Sequence, residues 1–346
     1  MDVDFDFSAE QEELRAAARA VLERYSPRAT VRQIVGDPGA DGGEQSHDQL
    51  FDRALWGHLA AQGWLGIEIP ADDGGSGLGS VESCILAEEV GRAMAPVPFL
   101  PTLLAATALH RAGETDSVAQ LLDGSHIGCV AFETQPAVAA PIADIVIRAR
   151  GDRLEVVDAE TVRPEPAMDR TRPVGWMDGD LPGRALGGAD AVADLVDRAA
   201  VGTSAQLLGG AVAMLEQATE YANTREQFGR PIGSFQAVKH HCADMLVDVE
   251  CMRSVLWWAA WSVQEGEPDA SIAASSAKTW CADAGLRVIE TALQVFGGIG
   301  FTWEHDGHLY LKRAQLDALT FGGARAHRDR LANLLRTQLH AGLSLT

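Results

Sequence analysis

The stretch YANTREQFGRPIGSFQAVKHHCADM, residues 221–245, decides the fold. A long helical pattern runs into it and stops at TREQFG, where Gly229 breaks the backbone. Arg225 therefore stands at a helix end just before a glycine, with its guanidinium facing outward. Taken alone it has two readings. It is a surface arginine paired with Glu226 or another acid, or a planar fork that grips a pyrophosphate through two parallel hydrogen bonds. A second stretch, VFGGIGFTWEHDGHLYLKRAQ at 295–315, again closes a helix on glycine. There Gln294, Gly297 and Gly298 form either an ordinary glycine stop or a turn whose bare amides admit a ligand closely.

Outward from these motifs, three regions differ in pattern. Residues 1–124 are helical, with a capping box at Ser8 and Gln11 opening the first helix. A second helix is expected from about Ser46 to Gln62, a third from Ser80 to about Ala93, and another after PVPFLP. Between them, GWLGIEIPADDGGSGLGS holds too much glycine for regular helix. Residues 125–190 change character: HIGCVAFET, ADIVIRARG and RLEVVDAETVRP have the length and β-branched content of strands, enough for little more than one modest sheet. Residues 191–346 return to helix in four long segments, roughly 191–223, 234–264, 269–296 and 308–340. Their short connections favour an antiparallel four-helix bundle. The expected class is α+β, mainly α.

Composition narrows the function. The 346 residues suffice for two or three domains, each with its own core. No apolar run approaches the roughly 20 residues of a membrane span, and the acidic start, MDVDFDFSAEQEELR, lacks the plan of a secretion signal. The expectation is a cytoplasmic protein. A net charge of -21 argues against nucleic acid and against anionic membranes, and otherwise serves solubility. The five cysteines (Cys84, Cys129, Cys242, Cys251, Cys281) form no CxxC pair and read as free thiols, mostly buried. No histidine spacing suits a metal, and none is expected: the adjacent His240 and His241 diverge on a helix.

The two motifs, together with GWLGIEIPADDGGSGLGSVESCILAEEVGR, resemble the acyl-CoA dehydrogenase family over most of residues 5–124 and 191–340. The resemblance implies an amino-terminal helical domain, a middle β domain and a carboxy-terminal four-helix bundle. It implies FAD as cofactor and an acyl-CoA as substrate. In the family the arginine matching Arg225 reaches across a subunit interface to the FAD pyrophosphate. Phe228, Ile232, Phe235 and Gln236 match residues that line the dinucleotide, with Gln227 beside them, and the turn at Gln294, Gly297 and Gly298 matches one that binds its adenylate end.

The sequence also departs from the family. Its reaction needs a glutamate to remove the acyl α-proton while flavin N5 takes the β-hydride. The usual position of that base is Gly322 here, and the alternative position on the first bundle helix is Ala199. The middle region lacks the TEPGAGSD-like stretch and the W-x-T/S element that contact the flavin ring. Two polar side chains that touch the cofactor are replaced by Ala324 and Ala326, and a substrate-side arginine by Ala200. The elements that reach a neighbour's FAD persist, whereas those that hold a chain's own flavin are gone. That pattern resembles the degenerate subunit of heteromeric α2β2 acyl-CoA dehydrogenases of actinobacteria, associated with CoA thioesters of steroid side chains and other bulky acids.

The resemblance therefore implies a heterotetramer in which a catalytic chain supplies base and flavin pocket and holds most of the acyl-CoA. Two alternatives compete with it. One is a self-sufficient homomeric flavoenzyme with a relocated base, for which Asp317, Asp197 and Glu304 are the acids to test. Each of these otherwise reads as a solvated or helix-capping charge. The other is a non-catalytic interaction protein, with Leu256, Trp257, Trp258 and Trp261 as a partner surface instead of bundle core.

Overall fold

Local signals place several helix ends in the structure, a computed structural model that describes residues 7–36, 50–133, 135–177, 182–340 and 342. Helix α1 (Ala9–Tyr25) opens on the expected capping box: Gln11 N–H donates to Ser8 Oγ (3.2 Å) and Ser8 N–H to Gln11 Oε1 (3.0 Å). Helix α2 (Arg28–Val35) was not anticipated; no side chain caps it, so its start carries no signature. The expected helix from Ser46 is shorter. Its described part, α3 (Arg53–Ala61), begins where Asp52 Oδ1 accepts from Leu55 N–H at 2.9 Å, and positions 46–49 lie outside the described residues. The glycine-rich passage forms only short 3-10 turns before α4 (Ser80–Arg92), α5 (Phe99–Arg111) and α6 (Thr115–Leu122).

The middle region forms two small sheets rather than one. The first runs in the order β1 (Gly128–Phe132), β3 (Ile145–Arg150), β4 (Arg153–Val157), β7 (Arg184–Gly187), with β1 and β3 parallel. The second, β2 (Ala137–Val138), β6 (Val174–Met177), β5 (Val162–Glu165), is antiparallel. Its strands are two to four residues long, too short to announce themselves by alternation. Helix α5 closes on β1: Thr102 Oγ1 donates to Gly128 O (3.2 Å) and accepts from Gly128 N–H (3.1 Å).

The carboxy-terminal helices are α7 (Ala189–Thr224), α8 (Gln236–Glu265) and α9 (Ala270–Phe296), and a fourth segment that is two helices. These are α10 (Gly307–Leu319) and α11 (Ala324–His340), separated where Phe321 (φ +59°) and Gly322 (φ +94°) turn left-handed. Helices α7 and α9 run parallel: Ser271 donates to Asp197 at one end (2.6 Å), and Tyr221 meets Phe296 edge-on at the other (5.4 Å). Helix α8 returns between them, with Arg287 on Asp248 at 2.7 Å. The parallel pair matters for function, because it brings the ends of two separate motifs to one end of the bundle.

Close packing joins α4 to α7 through Gly91 and Gly209. A Cβ on Gly209 would fall on the Glu88 carbonyl oxygen, and one on Gly91 on the Gln206 carbonyl oxygen. One apolar core runs through both helical regions, from Leu22, Trp56 and Ile85 to Leu208, Leu256 and Leu293. Leu256 and Trp257 belong to it, Trp261 is half-buried against it, and Trp258 faces solvent. The four-residue stripe is thus mostly core and not one exposed surface.

Candidate functional site

Helix α7 ends at Arg225, whose backbone leaves helical geometry while its N–H still bonds Tyr221 O at 2.8 Å. Ile232 N–H then donates to Arg225 O (2.8 Å), folding the chain back through the two-residue strands β8 (Glu226–Gln227) and β9 (Arg230–Pro231). The turn between them is Phe228 (φ +54°) and Gly229 (φ +77°), the twin positive angles of a tight hairpin. Glycine accepts this freely; phenylalanine in the left-handed region costs about 1–2 kcal/mol. That Phe228 is also 92% exposed, with little packing to offset the strain. Behind it stands Phe235, edge-on at 6.0 Å with the Arg230 guanidinium 4.2 Å over its ring. Arg225, Gln227 and Gln236 are exposed, and Ile232 and Phe235 are half-buried.

The end of α9 stands alongside. Phe296 is its last helical residue, and Gly297 (φ +67°) turns the chain where other residues would be strained. No atom lies within 4 Å of where a Cβ would sit on Gly297 or Gly298, so a ligand's approach to the backbone there is open. Gln294 and Gly298 are exposed, as are Ile299 and Phe301 beyond them. Because Tyr221 touches Phe296, the structure gathers both sets of sequence-predicted residues at one end of the bundle, all reachable from outside. Arg225 has no ion pair with Glu226, and an outward arginine beside exposed apolar rings and open amides suits the phosphate end of a dinucleotide.

The positions assigned to the base lie elsewhere, in the interior between the sheets and the bundle. Ala199 is fully buried in an apolar cluster with Leu195, Val130 and Phe321, and Ala200 is buried on the neighbouring face. The Phe321 ring meets Phe132 edge-on at 5.8 Å. At Gly322 a Cβ would lie 3.1 Å from His327 Nε2, on a left-handed backbone.

An ionic cluster, unread in the sequence, occupies the same interior. Arg172, between β5 and β6, donates through Nη1 to Asp317 Oδ1 on α10 and through Nη2 to Gln206 Oε1 on α7 (2.8 Å). Lys278 on α9 donates to Asp317 O at 2.5 Å. Arg313 on α10 donates to Asp169 Oδ2 (2.9 Å), to Ala95 O (3.2 Å) and to Thr171 Oγ1. Burial pushes the Asp317 carboxyl above its ordinary value against the pull of Arg172, Arg313 and Lys278. Burial also raises Asp169, but Arg313, Arg172 and the Thr171 hydrogen bond outweigh it and hold that carboxyl below its ordinary value. Lys278, with no solvent exposure, is brought down to about 8 by burial.

These contacts correct the expectation for two of the three acids. Asp317 is not a solvated charge, and neither is Asp197, which is buried and held by Arg330 (2.5 Å) and Ser271. Glu304 is exposed, as expected. One signal for the cluster was available: Lys278 is one of three lysines in the chain and lies in the small, apolar run SIAASSAKTWCADAG. His305 and His308 take structural places, His305 Nδ1 accepting from Gly307 N–H (2.9 Å) and His308 stacking on Trp303.

His327 makes the interior sensitive to acid. Its Nε2–H donates to Phe321 O at 3.0 Å, and its Nδ1 is buried without a partner. Burial, with Lys278 and Arg330 nearby, lowers the imidazole from 6.5 to about 4 despite the bond to Phe321. In acid the unfolded chain therefore takes up this proton before the folded one. The neutral form's stability is intact above pH 6.5 and is lost as pH falls from 6.5 toward 4, by roughly 3 kcal/mol at the limit. Between pH 7 and 4 the chain is expected to lose stability relative to His327→Gln, which has no group to titrate there, as thermal melts of the two measure. Curves that stay parallel would contradict this assignment.

Relatives are recognisable on both sides of the sheets. Models of the acyl-CoA dehydrogenase N-terminal domain and C-terminal domain match residues 8–124 and 187–335. The chain is 35% identical over 326 residues to acyl-CoA dehydrogenase IpdE2 of Mycolicibacterium smegmatis, spanning 94% of this chain and 98% of that protein. It superposes on a variant of the Tcur3481-Tcur3483 steroid ACAD with a TM-score of 0.85 and 30% identity, covering 96% of this chain and 99% of the other. A chain of the ChsE4-ChsE5 complex from Mycobacterium tuberculosis gives a TM-score of 0.82 and 28% identity, with coverage of 96% and 99%.

Proposed function

The chain belongs to the acyl-CoA dehydrogenase family, and we propose that within it the chain is a partner subunit that completes the FAD site of a different, catalytic chain. The observation that carries this reading is the division of the molecule. Arg225, Gln227, Phe228, Gln294 and Gly298 stand exposed at one end of the bundle. Ala199, at one position of the base, sits in a filled apolar interior, and Gly322, at the other, is half-buried on a left-handed turn against His327. The acids that could replace the base there, Asp317 and Asp197, are held by arginines.

FAD, when bound, would supply the hydride-accepting chemistry of the family's α,β-dehydrogenation, for which a carboxylate is needed as base. This chain's part is to bind and orient. Arg225 would hold the pyrophosphate, the Phe228 and Phe235 rings, Ile232 and Gln236 would line the dinucleotide, and the open backbone at Gly297 and Gly298 would meet its adenylate end. Two solved relatives are paired assemblies, the Tcur3481-Tcur3483 steroid ACAD and the ChsE4-ChsE5 complex. They support a heterotetramer and a bulky acyl-CoA as its substrate.

The chain purified alone is expected to be colourless, and yellow when co-expressed with its catalytic partner. In that complex Arg225→Ala removes charge-assisted hydrogen bonds worth about 1.5–3 kcal/mol, which is roughly 10- to 100-fold in FAD retention. Visible absorption after extensive dilution measures it. Unchanged FAD content in the variant complex, or one tightly held FAD per lone chain, would refute the proposal.

A further inference from the structure

The interior between the sheets and the bundle is where a competent chain would need room for a flavin ring and an acyl group. Here that place is bridged from wall to wall. Arg172 spans from the β5–β6 segment to Asp317 on α10 and Gln206 on α7, and Asp169 ties the same segment to Arg313. Lys278 closes the α9 side, and Phe321 meets Phe132 of the first sheet. Among the described residues, no buried side-chain polar atom of these five charged groups lacks a hydrogen-bond partner. A pocket awaiting a polar ligand leaves such atoms unpaired, because they would find their partners on the ligand. The five charged groups are complete without one, and the buried orphan nearby, His327 Nδ1, belongs to a side chain held on the clasp's own turn through Phe321 O.

We infer that Asp169, Arg172, Lys278, Arg313 and Asp317, with Phe321, form a permanent clasp that locks the sheets onto the bundle and closes this chain's own interior to flavin and acyl-CoA. The second site of the heteromer is thus abolished by filling, beyond the lack of a base. The device also has a positive role. It joins three bundle helices: the segment is held at α10 and α7, and Lys278 ties α9 to the same turn of α10. The inference deepens the partner-subunit reading and rests on it for what the interior once held, but its geometry stands apart from that reading.

Hydrogen–deuterium exchange followed by mass spectrometry tests it, on the lone chain and on the complex with its catalytic partner. With FAD and octanoyl-CoA as probes, exchange in segments 169–173 and 313–322 is expected to be slow and unchanged by either. Probe-dependent protection of those segments in the lone chain would overturn the clasp. Removing both charges together, as Arg172→Met with Asp317→Leu, is expected to speed exchange at 169–173 at least tenfold. Phe321→Ala is the second variant should that pair fail to fold, with the same acceleration expected at 317–322. Unaltered exchange in a folded variant refutes the clasp. FAD retention by Arg225→Ala complexes reads the other proposal, so the two can fail separately.

Discussion

An Asp317→Ala chain is expected to lose about 3–5 kcal/mol of folding stability, because it leaves buried cations without their counter-charge. Asp317 is 1% exposed, and its carboxylate is the acceptor for Arg172, while Lys278 lies against the carbonyl of the same residue. Arg172 cannot shed its proton, and it is 7% exposed, so its charge has nowhere to go. Natural domains are stable by about 5–15 kcal/mol, and a loss of this size consumes much of that margin. The double change Arg172→Met with Asp317→Leu removes both charges and keeps apolar volume, so it is expected to cost less than the single one. Lys278 keeps its bond in both variants, because its acceptor is backbone. Urea titrations of the three proteins measure the difference. A single variant within about 1 kcal/mol of the parent would show that the pair contributes no more than an exposed one.

Gly209→Ala is expected to destabilise the chain by roughly 3 kcal/mol or more, whereas its neighbour Gly210→Ala is neutral or stabilising. Both glycines lie inside α7, where alanine gains about 1 kcal/mol of helix propensity. At Gly210 nothing opposes that gain, since a new Cβ would rest 3.8 Å from the Tyr310 ring. At Gly209 it would overlap the Glu88 carbonyl oxygen and crowd Arg92 N. Both are backbone atoms of α4, which cannot swing aside as a side chain can. The helices must separate, and every layer between α4 and α7 loses contact. Melting temperatures of the two variants measured side by side check this, and equal values would show that the crossing is looser than its geometry.

The family and the residues of the proposed site were legible before the fold. TREQFG and GGIGF are local signals, each made by a helix end and a glycine whose backbone angle no other residue adopts cheaply, so a one-dimensional reading finds them. The capping box at Ser8 and the strands of HIGCVAF and ADIVIRAR are local in the same sense. The uncapped helix α2 and the short strands of the second sheet were missed because neither cap nor period marks them. The break between α10 and α11 was missed although Gly322-Gly323 lies in it, since a glycine pair alone does not say whether a helix ends.

By itself, then, the sequence determined the order of helices, strands and helices, the two glycine-ended motifs proposed to meet a dinucleotide, and the absence of glutamate at Gly322 and Ala199. Each of these is a property of neighbouring residues. Only the tertiary structure decided that the two motifs share one end of the bundle, since that depends on α7 and α9 running parallel. It alone decided the state of the interior. Arg172 and Asp317 are 145 residues apart, and in isolation each reads as a charge bound for solvent, where most arginines and aspartates are found. What put them in the core is a balance no local pattern records: the cost of burying each charge, met by the opposite charge that the fold sets beside it.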